Sequence, residues 1–238
     1  MGGEPVRLTS EGGSSPQWFD NGKKIAFVRG SDLMTMNQDG SEQMKVEEIS
    51  GFEIFNISPD GKKIFFTKRV KLDQTANEKH ALPNAKVRII DDLMYRHWNA
   101  WNDYSYSHIF VASFNGKSVS GEKDIMQDQK FESPTSPYYD EREIVWSPDG
   151  RYIAYTSKRL RGIEDARSTN SDIFLHEIAT GKEINITDAT MATTGSLFFH
   201  PMAQKLLSRV WKGTGMRLIL TVLSYMIYRG KPATGFQK

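Results

Sequence analysis

Trp146-Ser147-Pro148-Asp149-Gly150-Arg151-Tyr152-Ile153-Ala154-Tyr155-Thr156-Ser157 joins a tight turn to a run of strand-forming residues. Proline fixes its own φ, and Asp-Gly supplies a position that tolerates positive φ, so Ser-Pro-Asp-Gly predicts a tight turn. The run after the turn is rich in β-branched and aromatic residues and alternates in character, which predicts a strand with one buried face. The sequence therefore predicts a tight turn followed by a strand of a sheet.

The same pattern recurs upstream. Residues 57–67 read Ile-Ser-Pro-Asp-Gly-Lys-Lys-Ile-Phe-Phe-Thr, and residues 15–27 are a looser copy. Each copy precedes a further strand pattern that runs into a hairpin turn; these patterns are Asp32–Met36, His108–Phe114 and Asp172–Ile178. A unit of turn, strand, hairpin, strand and short outer strand is a four-stranded antiparallel blade. The predicted fold class is all-β, a partial β-propeller; a β-sandwich is the alternative, and the recurring turn favours the propeller.

The repeats also predict the organisation of the chain. We expect residues 4–191 to form the partial propeller, with blades near 15–50, 52–115 and 143–188 and an insertion at 71–92. The interval from the second copy of the turn to the third exceeds one blade of roughly 40–45 residues. It therefore predicts one and a half to two blades with a decorated loop between them.

Residues 192–238 differ from everything before them. They hold seven of the 31 Lys and Arg residues and none of the 29 acidic ones. Codons for Ser-Pro-Asp-Gly, read one base later, give His-Pro-Met-Ala, and His200-Pro201-Met202-Ala203 stands where a fourth turn should begin. The hypothesis is that residues 192–238 are a frameshifted translation and not a native blade. It predicts that they lack the strand pattern and do not form an ordered four-stranded blade. A genuine basic C-terminal helix is the alternative.

Composition excludes several kinds of site. The chain has no cysteine, so disulfides and cysteine-ligated zinc are excluded, and its five histidines lack the spacing of metal ligands. No G-x-S-x-G motif is present, so no catalytic residue is assigned. No metal or cofactor is assigned either. Glu164 and Asp165 beside the basic run 158–161 argue against nucleic acid as a partner. The apolar run 218–228 is too short to span a membrane. Residues 1–5 lack the features of a signal peptide.

One aromatic segment stands out as a candidate site. Two Trp, two Tyr, an Arg and an acid within residues 95–104 offer stacking faces and charged hydrogen-bond partners. The substrate-facing candidates are Tyr95, Arg96, Trp98, Trp101 and Asp103. The alternative, which the sequence favours, is that the segment fills space between blades, and this alternative predicts a buried Trp98.

The turns at 58–66 and 147–155 and the stretch Asp92-Leu93-Met94-Tyr95-Arg96-His97-Trp98 resemble the N-terminal propeller of the prolyl oligopeptidase family of serine peptidases. The nearest resemblance is to its dipeptidyl-peptidase and acylaminoacyl-peptidase-like branch. The resemblance implies that residues 4–191 form an open arc, about half of a seven- or eight-bladed propeller. It also implies peptide substrates, a C-terminal α/β-hydrolase domain that carries the catalytic Ser, Asp and His, and a periplasmic or secreted location.

These expectations give two classes of function. The first is the substrate-gating fragment of a serine exopeptidase that removes dipeptides or acyl-amino acids from peptide N-termini. The second is a stand-alone propeller that binds a protein or a peptide. In either class the chain by itself is expected to lack peptidase activity, because a nucleophile, a base and an oxyanion hole are needed.

Overall fold

The computed structural model describes residues 4–80, 87–90, 93, 95–187, 193–200, 205–211 and 218–223. Its strands are β1 Ser14–Phe19, β2 Lys24–Arg29, β3 Asp32–Asn37, β4 Met44–Lys45, β5 Phe55–Ile57, β6 Lys63–Lys71, β7 Arg96–His97, β8 Ala100–Trp101, β9 Ser105–Phe114, β10 Val119–Asp124, β11 Ile144–Trp146, β12 Tyr152–Ser157, β13 Asp172–Glu177, β14 Glu183–Asn185, β15 Thr193–His200, β16 Lys205–Trp211 and β17 Leu218–Leu223. Two short helices are α1 Ala76–His80 and α2 Gly162–Arg167. The chain divides into two compact units, Met1–Lys68 with Ile109–Asp124, and Arg69–His108 with Ile125–Lys238.

The first sheet is an antiparallel meander in the order β1-β2-β3-β4. The register of its central pair runs from Lys24 opposite Asn37 to Arg29 opposite Asp32. Alternation along β2 and β3 buries Ala26 and Leu33 in an apolar cluster of the first unit. Other members of that cluster are Phe19, Val46, Phe55, Ile64, Phe66, Ala112 and Phe114.

The second sheet has the order β10-β9-β6-β5 and departs from the predicted span. Among the described residues the interval holds this four-stranded sheet and the two-stranded pair β7-β8, and the number of blades stays a prediction. Its outer strand is Val119–Asp124, beyond the predicted limit at residue 115. Only Val119 of that strand is buried, because an outer strand is held by pairing with its neighbour and needs little apolar pattern.

The third sheet, β11-β12-β13-β14, shows how the repeated turn begins a blade. The hydroxyl of Ser147 donates to Asp149 at 2.6 Å and accepts the backbone N–H of Tyr152 at 2.9 Å. Gly150 has a φ of +68°, which glycine adopts without steric cost. The copy at residues 58–63 repeats the serine contacts, with distances of 2.6 and 2.9 Å. The predicted fold class of four-stranded antiparallel blades is confirmed.

The segment after residue 192 contains strands. Its described residues form an antiparallel sheet in the order β15-β16-β17, and Leu197 is buried with Ala154, Ile173 and Leu175. The prediction that this segment lacks a strand pattern is therefore wrong for the described residues, and the helical alternative is wrong for them as well. The physical reason lies in composition, because runs of Thr, Phe, Leu, Val and Ile favour strands whatever their origin. The frameshift itself stays a prediction.

Candidate functional site

The aromatic segment forms a small hairpin within the long connection between β6 and β9. Strands β7 and β8 pair antiparallel, with Arg96 opposite Trp101 and His97 opposite Ala100. Next to this pair, the backbone N–H of Asn102 donates to the carbonyl of Tyr95 at 2.9 Å. We call residues 95–104 the aromatic hairpin. All five predicted site residues lie on it; Tyr95, Arg96, Trp98 and Trp101 are in its strands and turn, and Asp103 is near its end.

The hairpin exposes its large side chains. Trp98 is 69% exposed, and Tyr95 and Trp101 are 43% and 39% exposed. Trp98 touches the edge of Tyr138 with a centroid separation of 6.2 Å and lies beside His97. The prediction of a buried Trp98 is therefore wrong, because two strands of two residues each provide no second layer to cover the ring. The substrate-facing role of these residues stays a prediction.

The ring of Trp101 is the centre of a stack. The guanidinium carbon of Arg88 lies 3.9 Å from the ring centroid, and that of Arg96 lies 5.1 Å away. Tyr95 stacks on the same ring at 6.1 Å and an interplanar angle of 28°. Such cation–π contacts stabilise a guanidinium without using its N–H edges. Arg88 was missed at the sequence level, since nothing in its local pattern shows that it reaches the hairpin.

A cavity of about 240 Å³ lies against this stack. It is lined by Thr75, Ala76, Asn77, Val87, Arg88, Ile89, Ile90, Tyr95, Trp101, Asn102 and Tyr104. Asn77 of α1 holds the wall in place, because its amide donates to the carbonyl of Val87 at 2.8 Å and accepts from the N–H of Ile89 at 2.9 Å. The cavity therefore joins the insertion to the aromatic hairpin.

Charge fixes α1 against the end of β6. The carboxylate of Glu78 accepts from Lys71 at 2.5 Å and from the backbone and hydroxyl of Thr75. These hydrogen bonds, the one from Lys71 first, lower the pKa of Glu78 to about 2. The insertion thus leaves β6 in a defined direction.

Asp103, the fifth predicted site residue, lies at the base of the hairpin and binds the backbone there. Its carboxylate accepts the backbone N–H of Ser105 at 3.0 Å and lies 3.8 Å from Arg69. Arg69 donates to the carbonyl of Ser105 at 2.6 Å and contacts the hydroxyl of Tyr139. Of the five candidates only Tyr95 and Trp101 line the cavity, whereas Arg96, Trp98 and Asp103 do not.

Two buried carboxyl groups lie next to this base. Burial raises the pKa of Glu132, against hydrogen bonds from Ser136 and the charge of Arg69. Burial likewise raises the pKa of Glu143, which accepts from the N–H and hydroxyl of Thr135 at 2.8 and 2.7 Å. Sequence reasoning missed both residues, although the two Ser-Pro pairs at 133–137 mark the turn that surrounds them.

Within the described residues, no group of three or more His, Asp or Glu side chains could hold a metal ion. None of the described helices has the length and apolar character needed to cross a membrane. The chemistry that this part of the chain offers is stacking, hydrogen bonding and cationic attraction.

Comparisons with known proteins place the chain. No family model matches it. It is 36% identical over 193 residues to dipeptidyl-peptidase 5 of Porphyromonas endodontalis and 35% identical over 203 residues to that of Porphyromonas gingivalis. The matches cover 79% and 80% of this chain. The chain belongs to the prolyl oligopeptidase family. It spans only 28% of the length of either relative.

Solved structures of this family agree on the fold. An acylaminoacyl peptidase from Pyrococcus horikoshii superposes with a TM-score of 0.58 at 13% identity, covering 89% of this chain and 31% of its own. A prolyl endopeptidase superposes with a TM-score of 0.51 at 15% identity, covering 94% of this chain and 28% of its own. The sheets of the chain are accordingly blades of a partial β-propeller of the prolyl oligopeptidase type, as the sequence predicted.

Proposed function

We propose that this chain is the substrate-gating propeller portion of a prolyl oligopeptidase-family serine exopeptidase that removes dipeptides or acyl-amino acids from peptide N-termini. The observation that carries the proposal is the 36% identity to a dipeptidyl-peptidase over 79% of this chain and only 28% of the relative. The remainder of such a relative has room for an α/β-hydrolase domain. That domain would supply the serine, histidine and acid of catalysis.

Within this portion, we assign the substrate-facing role to the aromatic hairpin. Its exposed Tyr95, Trp98 and Trp101 offer flat apolar faces, and Arg96 adds a hydrogen-bond donor of fixed charge. Aromatic and arginine side chains of this kind are the residues that most often dominate binding surfaces. The cavity beside Trp101 adds a concave element suited to a peptide side chain or terminus.

A stand-alone peptide-binding propeller is the second candidate. It is favoured by the same hairpin and cavity, which need no catalytic group in order to bind. The gene distinguishes the two candidates, because only a peptidase needs a hydrolase domain encoded beyond the blades. The peptidase is supported if the downstream genomic sequence encodes G-x-S-x-G within a few hundred codons, in the reading frame that encodes further blades. Downstream sequence without that motif would refute the peptidase and leave the binding module.

We also propose that residues 192–238 arise from a frameshift within a fourth blade. The proposal is supported by the lack of acidic residues and by His200-Pro201-Met202-Ala203 at the position of the repeated turn. The same genomic sequence tests it. A single inserted or deleted base near codon 192 is expected, whereas close relatives that encode this segment in the same frame would contradict it. For the whole protein we propose an exported location, periplasmic or secreted.

A further inference from the structure

Two guanidinium groups share the ring of Trp101 without sharing a carboxylate. Arg88 and Arg96 lie 3.9 and 5.1 Å from its centroid. Arg96 donates through Nε to the carbonyl of Trp98 at 2.7 Å, and no ion pair joins either arginine to an acidic side chain among the described residues. Each of these arginines is a cation at the ring and can attract an anion to it.

Three acidic side chains on the described segments that flank the cavity already have partners. Glu78 pairs with Lys71 at 2.5 Å, and Asp73 pairs with Lys130 at 2.5 Å. Asp103 lies 3.8 Å from Arg69 and accepts from Ser105. The described carboxylates around the cavity are therefore engaged elsewhere, which leaves the charge on the two stacked arginines uncompensated by them.

The cavity beside the stack has room and few competing donors. Its volume of about 240 Å³ exceeds several times the ~30 Å³ that a water molecule occupies in the liquid. Two of its polar side chains are committed, Asn77 to the backbone at 87–89 and Thr75 to Glu78. The N–H edges of a guanidinium stacked on a ring match a carboxylate in a bidentate geometry.

We propose that Arg88, Arg96 and Trp101 form a subsite for a carboxylate of the bound peptide. The inference rests on the proposed function, since it names what the substrate-facing hairpin selects. The carboxylate has two sources, the C-terminus of a short peptide and the side chain of an Asp or Glu within a longer one. Selection of the first kind favours peptides a few residues long, and selection of the second kind favours acidic sequences.

The test is calorimetric titration of the whole chain with matched peptides. Ala-Ala-Ala-Ala is compared with its C-terminal amide, and Ala-Glu-Ala-Ala amide with Ala-Gln-Ala-Ala amide. The acid member of at least one pair is expected to bind about tenfold tighter than its neutral match, because a charge-assisted bidentate pair is the strong kind of hydrogen bond. The pair that shows the preference identifies the source of the carboxylate. Raising the salt concentration should reduce the preference.

Variants then locate the effect. Arg88→Gln and Arg96→Gln should each abolish most of the preference for the acid. Arg161→Gln is the matched control, because Arg161 also lies over an aromatic ring, but that ring is Phe131, at 5.0 Å, and not Trp101. Its variant should keep the preference. Equal affinity for acid and neutral peptides in the unmodified chain would overturn the subsite and leave the proposed function standing. Failure to bind any of the four peptides would overturn both the subsite and the substrate-facing role of the hairpin.

Discussion

Arg159 lies over the ring of Phe174, with its guanidinium carbon 3.5 Å from the ring centroid. The same guanidinium pairs with Glu183 at 2.7 Å and donates to the hydroxyl of Tyr155 at 3.0 Å. Tyr155 also contacts Glu183, and burial raises the pKa of its hydroxyl. Because Tyr155, Phe174 and Glu183 lie on β12, β13 and β14, one arginine just beyond β12 ties three strands of the third blade together.

The first prediction concerns this arginine. Arg159→Ala should lower the free energy of unfolding by about 2 kcal/mol, because it removes a stacked cation and leaves the half-buried Glu183 without its partner. Urea unfolding followed by fluorescence measures the change. The control is Arg142→Ala, whose solvent-exposed pair with Asp140 should contribute little to stability. Equal losses in the two variants would contradict the structural role of Arg159.

The second prediction concerns the repeated turn. Ser147→Ala should cost about 1–3 kcal/mol, because the N–H of Tyr152 then loses the acceptor that the buried serine provides. Ser58→Ala should cost a similar amount, since its hydroxyl accepts the N–H of Lys63 in the same way. Ser120→Ala, on the exposed part of β10, is the comparison and should change little. If Ser147→Ala also changes little, the turn is not held by its serine.

The third prediction is a pH dependence of stability. Burial raises the pKa of Glu143 in the folded chain, so the folded state binds a proton more tightly than the unfolded state does. This group therefore reduces the free energy of unfolding as pH rises above the unfolded pKa of about 4.3 and through the higher folded pKa. Glu143→Gln should gain stability relative to the unmodified chain between about pH 4 and pH 7.

Glu177 provides the control of opposite sign. A hydrogen bond from Thr180 lowers the pKa of Glu177, so its contribution is present at neutral pH and lost as pH falls through the folded pKa. Glu177→Gln should therefore lose stability relative to the unmodified chain as pH rises through the lowered folded pKa to the unfolded pKa of about 4.3. If the stabilities of the two variants, relative to the unmodified chain, changed with pH in the same direction, burial would not be what sets the pKa of Glu143.

The fourth prediction concerns the wall of the cavity. Asn77→Ala removes both side-chain hydrogen bonds to the backbone at 87–89, so Arg88 should no longer be held against Trp101. We expect changed tryptophan fluorescence, with a global free energy of unfolding lower by no more than about 1–2 kcal/mol, since the wall lies outside the sheets. Asn115→Ala, in the turn between β9 and β10, should leave the fluorescence unchanged. Unchanged fluorescence in Asn77→Ala would contradict the claim that Asn77 holds Arg88 against Trp101.

The blades were predictable because their signals are local. Ser-Pro-Asp-Gly specifies a turn through the geometry of its own few residues, and the strand-forming run after it predicts β12. The prediction of one buried face is wrong for β12, because Ile153–Ser157 are buried in succession on both faces of a strand that pairs on both sides. The outer strand Val119–Asp124 was not predictable, since its pairing with β9 holds residues that have almost no apolar pattern. Its existence depends on the neighbouring strand and not on its own sequence.

The candidate site was predictable only in part. Composition singled out the residues of the aromatic hairpin, but it predicted burial for Trp98, which is 69% exposed. Aromatic content favours burial on average, and exposure is decided by whether a second layer covers the ring. The contact of Arg88 with Trp101 depends on the path of the insertion and on Asn77, and neither is encoded in a local pattern.

The central claim is that this chain is the propeller portion of a peptidase and needs a separate catalytic domain. The most direct measurement compares hydrolysis of dipeptidyl and acyl-aminoacyl p-nitroanilides by the chain alone and by the protein encoded by the repaired, continuous reading frame. We predict no turnover by the chain alone, and turnover by the longer protein that disappears when the serine of its G-x-S-x-G motif is replaced by alanine. Turnover by the purified chain, or none by the longer protein, would contradict the claim.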